Sequence, residues 1–260
     1  MNVAIFTPLA VEGEVVDTPF GLAGPLQTET LGDRSVTFIQ RGGDARARVV
    51  AAKERGALHV IGLGAAIALV PDFRAGTWLA PDDVIDQTRA APTTFFVGRG
   101  LGYLSQSPPF CPETRAALVD VIGRVHQVTV TGREEAGISS TVSPRDSHLD
   151  PGDQNGIAIA APERAITPAE VKAWGILGGT IAMPGLAPEW YLSRELELGY
   201  APLCYMSWTP EESASLTDDL VRSIIGKIAV ALPGEHSWTG SNAAARRELG
   251  EDWRQWIASS

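Results

Sequence analysis

Short apolar runs alternate along this chain with longer amphipathic segments, and that alternation constrains the fold more than any single motif. The runs are "NVAIF", "SVTFIQ", "ALHVIGLGAAIAL", "TWLAPDDVID", "GIAIAAP", "GGTIAMPG" and "APLCYMSW". Between them stand segments of helical character. "ARARVVAAKERG" closes on Gly56, and "PETRAALVDVIGRV" sets Leu118, Val119, Ile122 and Val125 on one face. "TPAEVKAWG" offers Thr167 as N-cap, "APEWYLSRELELG" has Pro188 in its first turn, and "LTDDLVRSIIGKIAVALPG" spaces Val221, Ile224, Ile225 and Ile228 helically. The tail, "AAARRELGEDWRQWIA", reads as one more helix. Strands alternating with helices predict an α/β fold with a central mixed sheet flanked by helices. The small residues of "GLGAAIAL" predict that the strand before them gives way to a loop. The 260 residues suit one domain, 1–260. One polar, aperiodic stretch, 137–156, reads as a long loop, either a functional lid or a segment without order.

Charge narrows the partners. A net charge of −10 disfavours a nucleic-acid ligand, which needs a basic face, and an anionic membrane surface. No apolar run is long enough to span a bilayer, and "MNVAIFTPLAVEGE" lacks a basic leader. Cys111 and Cys204 form no Cys-x-x-Cys pair and read as small buried hydrophobes of a reducing cytoplasm. His59, His126 and His236 have no metal-like spacing, so no metal and no cofactor is expected.

Five segments, in order, resemble the 5′-methylthioadenosine phosphorylase branch of the purine nucleoside phosphorylase superfamily. They are "VDTPFG", "KERGALHVIGLGAAIAL", "DDVIDQTRAAPTTFF", "PPFCPETRAAL" and "AMPGLAPEWYLSRELELGYAPLCYMSW". The resemblance implies the nucleoside phosphorylase fold, a homotrimer, a small-molecule ligand and phosphorolysis of a purine nucleoside. That reaction requires a cradle for phosphate, a grip on the sugar and an acid for the departing base.

The chain departs from that pattern where the chemistry sits. "FTPLAVEG" stands where a Gly-Gly-Thr-Gly phosphate loop is expected, and Gly42 replaces the His after Arg41. Gly64 replaces a phosphate-binding Thr, although Ala65 matches, and "AAPER" replaces a segment with a purine-stacking Phe. Glu211 and Glu212 fall near, but not on, the place of the base-binding Asp pair. Each lost charge-assisted hydrogen bond is worth about 1.5–3 kcal/mol, so several such losses lower phosphate-dependent turnover by orders of magnitude.

The remaining candidates carry two readings each. Asp82, Asp86 and Thr88 either hold loop N–H groups or supply a general base. Glu163 and Arg164 are either a solvated pair or a substrate grip, and Glu211 is either a helix-start acid or a catalytic acid–base. Arg41 is a residual anion clamp or a surface charge, and His148 is a loop histidine that either titrates or is inert. Met183 corresponds by resemblance to a ribose-contacting Met. Trp190 and Trp208 either pack the core or stack on an apolar ligand. The expected function is a repurposed enzyme acting on a small organic, nucleoside-derived substrate without phosphate, by Asp/Glu acid–base chemistry. The Ala-, Gly-, Arg- and Asp-rich composition fits bacterial specialised metabolism. The alternatives are a non-catalytic binding or scaffold protein, and a nucleosidase or phosphorylase with a rebuilt site.

Overall fold

A computed structural model describes residues 1–71, 73–89, 92–135, 156–209 and 213–257. Strand β1 (Asn2–Thr7) is buried from Val3 onward and pairs in parallel with β4 (Arg34–Gln40) on one side and β5 (Ala57–Ala68) on the other. Such continuous apolar runs are what a strand covered on both faces demands. Outside β4 lie β3 (Gly21–Leu31) and β2 (Glu14–Thr18), both antiparallel. "VDTPFG" is the turn of this hairpin. The Thr18 hydroxyl donates to Gly21 O at 2.7 Å, and Gly21 takes a φ of +97°, which its missing side chain permits. β3 had no clear signal, since only Ala23 and Leu26 of its eleven residues are buried.

β5 is the branch point of the sheet. It runs beside β1 as far as Gly62, then pairs antiparallel through Ile67 and Ala68 with β9 (Ile181–Pro184). Along its other edge β10 (Gly199–Trp208) runs parallel, with β6 (Trp78–Leu79) antiparallel beyond it. From β9 the sheet continues to β8 (Ile157–Ala161) and β7 (Asp83–Asp86), all parallel. The expected loop in "GLGAAIAL" is not there: its residues through Ala68 remain strand. They are small because neighbours approach closely. A methyl group on Gly62 would stand 1.8 Å from Tyr200 Oη, and one on Gly64 2.7 Å from Met183 Sδ.

The helices follow the sequence signals. α1 (Ala45–Glu54) is capped by Asp44, whose carboxylate accepts from Arg46 N at 2.8 Å. α2 (Pro112–Glu135) packs on β10 and on α5 (Asp218–Ala231). α5 buries Val221, Ile224, Ile225 and Ile228, each worth about 1.5–3 kcal/mol relative to exposure. α3 (Pro168–Ile176) opens on a reciprocal Thr167–Glu170 capping box. α4 (Glu189–Glu195) follows Pro188. The tail forms two short helices rather than one, α6 (Ala243–Leu249) and α7 (Trp253–Ile257), because the chain turns at Gly250 with φ +97°. Cys111 and Cys204 are buried free thiols. Among the described residues no helix is long and apolar enough to cross a membrane. The 137–156 stretch lies outside the described residues except for Gly156, and His148 lies with it.

Candidate functional site

Where β5 parts from β1, the sheet opens and side chains fill the gap. Arg41 follows β4 directly, its N–H bonded to Thr7 O at 2.8 Å. Its guanidinium donates to Leu63 O on β5 and grips both oxygens of Glu189, Nε to Oε1 at 2.8 Å and Nη2 to Oε2 at 2.7 Å. Glu189 is fully buried at the start of α4. Tyr200, on β10, donates its hydroxyl to Glu189 Oε2 at 3.2 Å. Arg48, on the buried face of α1, adds a longer contact of 3.4 Å to Oε1. Burial works against the charge on Arg41, but Glu189 more than offsets it, and the guanidinium's pKa is raised. The Tyr200 phenol is pushed well up by burial and by the neighbouring carboxylate.

This buried cluster adjoins, through Arg48, a cleft of about 370 Å³ lined by Gly43, Asp44, Arg48, Thr88, Arg89 and Glu163, with Ala187 and Pro188. Arg41 and Glu163 meet behind Gly185: a methyl there would stand 3.1 Å from Arg41 Cδ and 3.2 Å from Glu163 Oε1. The cleft lies at the carboxyl ends of β4, β7 and β8, the end where open α/β sheets bind ligands.

Asp86 faces a second cleft of about 660 Å³, which it lines with Thr94, Phe96, Tyr191 and Glu195. Its Oδ1 accepts both the N–H (2.8 Å) and the hydroxyl (2.6 Å) of Thr88, so the pair links the two clefts. Burial pushes Tyr191 up to about 12, helped by Asp86. Burial also pushes Glu195 up to about 7, against hydrogen bonds from Thr94 and from Phe95 N–H, the latter 2.7 Å long.

The other candidates are dispersed. Asp82 sits before β7, at the opposite end of that strand from Asp86, a separation of about 13 Å at the rise of a strand; its carboxylate accepts from Gly156 N at 2.9 Å. Arg164 is exposed and paired with Glu170 at 2.6 Å. Met183 is wholly buried against Gly64 and Cys204, whose thiol lies 3.4 Å from its sulfur. Ala65 is half-buried beside Gly64 on β5. Trp190 is inside the core, its ring 4.2 Å from Tyr191 and 6.4 Å from Phe110. Trp208 is 43% exposed at the end of β10. Glu211 and Glu212 lie outside the described residues. Among the described residues no group of His, Cys, Asp and Glu is placed to hold a metal ion.

Glu189, Glu195 and Tyr200 lie within one of the five resembling segments but were not singled out as site residues, and Arg48 was marked by no motif. Arg48 had the one usable signal, a long cation on the face of α1 that is otherwise Ala and Val. The partners it meets are far away in sequence.

The geometry agrees with what comparison finds. The sequence matches the Phosphorylase superfamily over residues 17–207, and the chain belongs to that family. The match begins at Asp17, after β1 and the segment where a phosphate loop is expected. The chain is 28% identical to the 6-oxopurine nucleoside phosphorylase of Pyrococcus furiosus, over 75% of this chain and 71% of that protein. It is 30% identical to a probable S-methyl-5′-thioinosine phosphorylase of Methanothermobacter thermautotrophicus, over 73% of this chain and 61% of the other. Its fold matches the adenosine/methylthioadenosine phosphorylase of Schistosoma mansoni solved with adenine, with a TM-score of 0.69 at 21% identity, covering 100% and 98% of the two chains. The fold is therefore that of the nucleoside phosphorylases, a mixed sheet flanked by helices.

Proposed function

We propose that this chain is an enzyme that acts on a small, nucleoside-derived molecule without using inorganic phosphate as co-substrate, in bacterial specialised metabolism. The observation that carries this reading is the occupation of Arg41. Of the family's phosphate-holding pattern this cation remains, and its guanidinium is committed to Glu189 and Leu63 O. Gly64 supports the same reading. A Thr there would bring its Cβ to 2.7 Å from Met183 Sδ, so the Met183 side chain packs at a position the resemblance assigns to phosphate. Glu163 is the acid–base group of choice. It lines the cleft, is exposed, and makes no salt bridge among the described residues. A carboxylate so placed can pass a proton to a leaving group or accept one from an attacking water. Asp86 and Thr88 fix the cleft's other side.

The test is incubation with methylthioadenosine, adenosine and inosine, with and without phosphate, and chromatography for free base. Base release that is independent of phosphate is the expected outcome. Release that requires phosphate overturns the proposal in favour of a rebuilt phosphorylase. A raised melting temperature with no release by any substrate overturns it in favour of a non-catalytic binding protein.

A further inference from the structure

The wall of the 370 Å³ cleft holds a buried guanidinium that is not fully satisfied. Two guanidinium groups, Arg41 and Arg48, share one carboxylate, and their side chains are 8% and 5% exposed against 0% for Glu189. Glu189 already receives the Nε and Nη2 of Arg41 and the hydroxyl of Tyr200, so its acceptor sites are nearly filled before Arg48 reaches it at 3.4 Å. Arg48 Nη1 goes to Gly42 O at 2.6 Å, and Arg48 Nε is buried without a partner. Asp44 and Glu163 add negative charge beside the pair, Asp44 near Arg48 and Glu163 near Arg41, but both Asp44 oxygens are taken by Arg46 and neither acid reaches Arg48 Nε. A buried donor left without a partner is costly, and one on a side chain that lines a cleft calls for a ligand that satisfies it.

We propose that the cleft takes an organic anion: a nucleoside- or sugar-derived molecule that carries its own carboxylate or phosphomonoester against Arg48, with its hydroxyls toward Glu163. This rests on the reading that the same cleft is the substrate site. The surroundings fit both ends of such a molecule. Arg89 lines the cleft with Arg48 and supplies further donors for the anionic end. The Glu163 carboxylate, at the same cleft, is an acceptor for sugar hydroxyls. The volume corresponds to about a dozen waters, room for an organic body rather than an isolated ion. A protein that no longer gathers phosphate from solution would thus meet its anion as part of the substrate.

Calorimetric titration of the full chain tests this with matched pairs: adenosine against adenosine 5′-monophosphate, adenosine against adenosine 5′-carboxylate, ribose against ribose 5-phosphate. Inorganic phosphate is the control. Each acid is expected to bind at least about ten-fold tighter than its neutral parent, a margin that charge-assisted hydrogen bonding supplies. Tighter binding confined to the phosphomonoesters assigns the phosphate source, and equal gain by the carboxylate assigns the carboxylate as well. R48Q should erase the preference, and R89Q should reduce it several-fold. Equal affinity within every pair overturns the proposal, as does inorganic phosphate binding as tightly as the organic acids. If R48Q does not fold, R89Q decides: a preference untouched by it overturns the site. The outcome is separable from that of the preceding subsection. Phosphate-dependent base release would end the phosphate-free reading while leaving the preference for acids to stand or fall on binding alone.

Discussion

Two sets of Arg and Glu residues lie near the candidate cleft, and they differ in almost everything but composition. The inner set, Arg41, Arg48 and Glu189 with Tyr200, is buried where β5 leaves β1. The outer set, Arg164 and Glu170 with the cap residue Thr167, stands in solvent at the start of α3. Both contain a short two-pronged Arg–carboxylate pair. In water such a pair gains little, because solvent screens it and two long side chains must be held still. Inside the fold, removal of one partner strands the other in a medium that cannot solvate it. The inner set therefore ties β4, α1, α4 and β10 together, while the outer set finishes one helix.

The sharpest way to break the comparison is Glu189→Ala. It leaves two buried guanidinium groups facing each other and should cost about 3–5 kcal/mol, a fall in Tm of about 10 °C, measured by thermal denaturation. A variant that melts with the parent would show that the inner set is no more important than the outer.

Next in size is Gly62→Ala. The added methyl would meet Tyr200 Oη at 1.8 Å and displace the ring that donates to Glu189. Overpacking of this kind costs about 1–3 kcal/mol. Urea unfolding should show a lower midpoint with an unchanged slope; no shift in the midpoint would mean Tyr200 has room to move.

Glu195 gives a prediction in pH. Its folded pKa, about 7, is raised above that of an unfolded carboxyl. Its contribution to stability is thus fully present below the unfolded value near 4.5 and is lost as pH rises through about 7. Glu195→Gln, which stays neutral, should lack that loss. Its Tm relative to the parent should climb across this window, by the equivalent of up to about 3 kcal/mol. Parallel Tm profiles from pH 4 to 8 would remove the buried-acid assignment.

The smallest effect belongs to the outer set. Arg164→Ala should melt indistinguishably from the parent, and added salt should not change that. A clear drop in Tm would mean the outer pair is not the solvated pair it looks like.

Much of the architecture was legible because its signals are local. The period of α5, the Thr167 cap, the continuous burial of β1 and the turn at Thr18–Gly21 each depend on residues a few positions apart. β3 was not legible, since it is half-exposed and interrupted by Gly24 and Pro25. The small residues of β5 were misread as a loop, because smallness by itself does not say whether a chain turns or whether a neighbour presses against it. Of the site residues, Thr88 and Glu163 came together at one cleft, Asp86 joined through Thr88, and Arg41 lies buried behind Gly185 near Glu163. Asp82 shares their strand and not their end of it.

The sequence by itself determined the family and the alternation of strands and helices, both of which are written in residues near one another along the chain. Only the tertiary structure decided what became of Arg41. Its partner Glu189 lies 148 positions away and its other contacts reach it from β5, so no local pattern records them. Burial and charge balance are sums over everything that surrounds a group. Those sums made Arg41 a structural cation and left Arg48, which no motif marked, with a buried hydrogen-bond donor still unsatisfied beside the cleft.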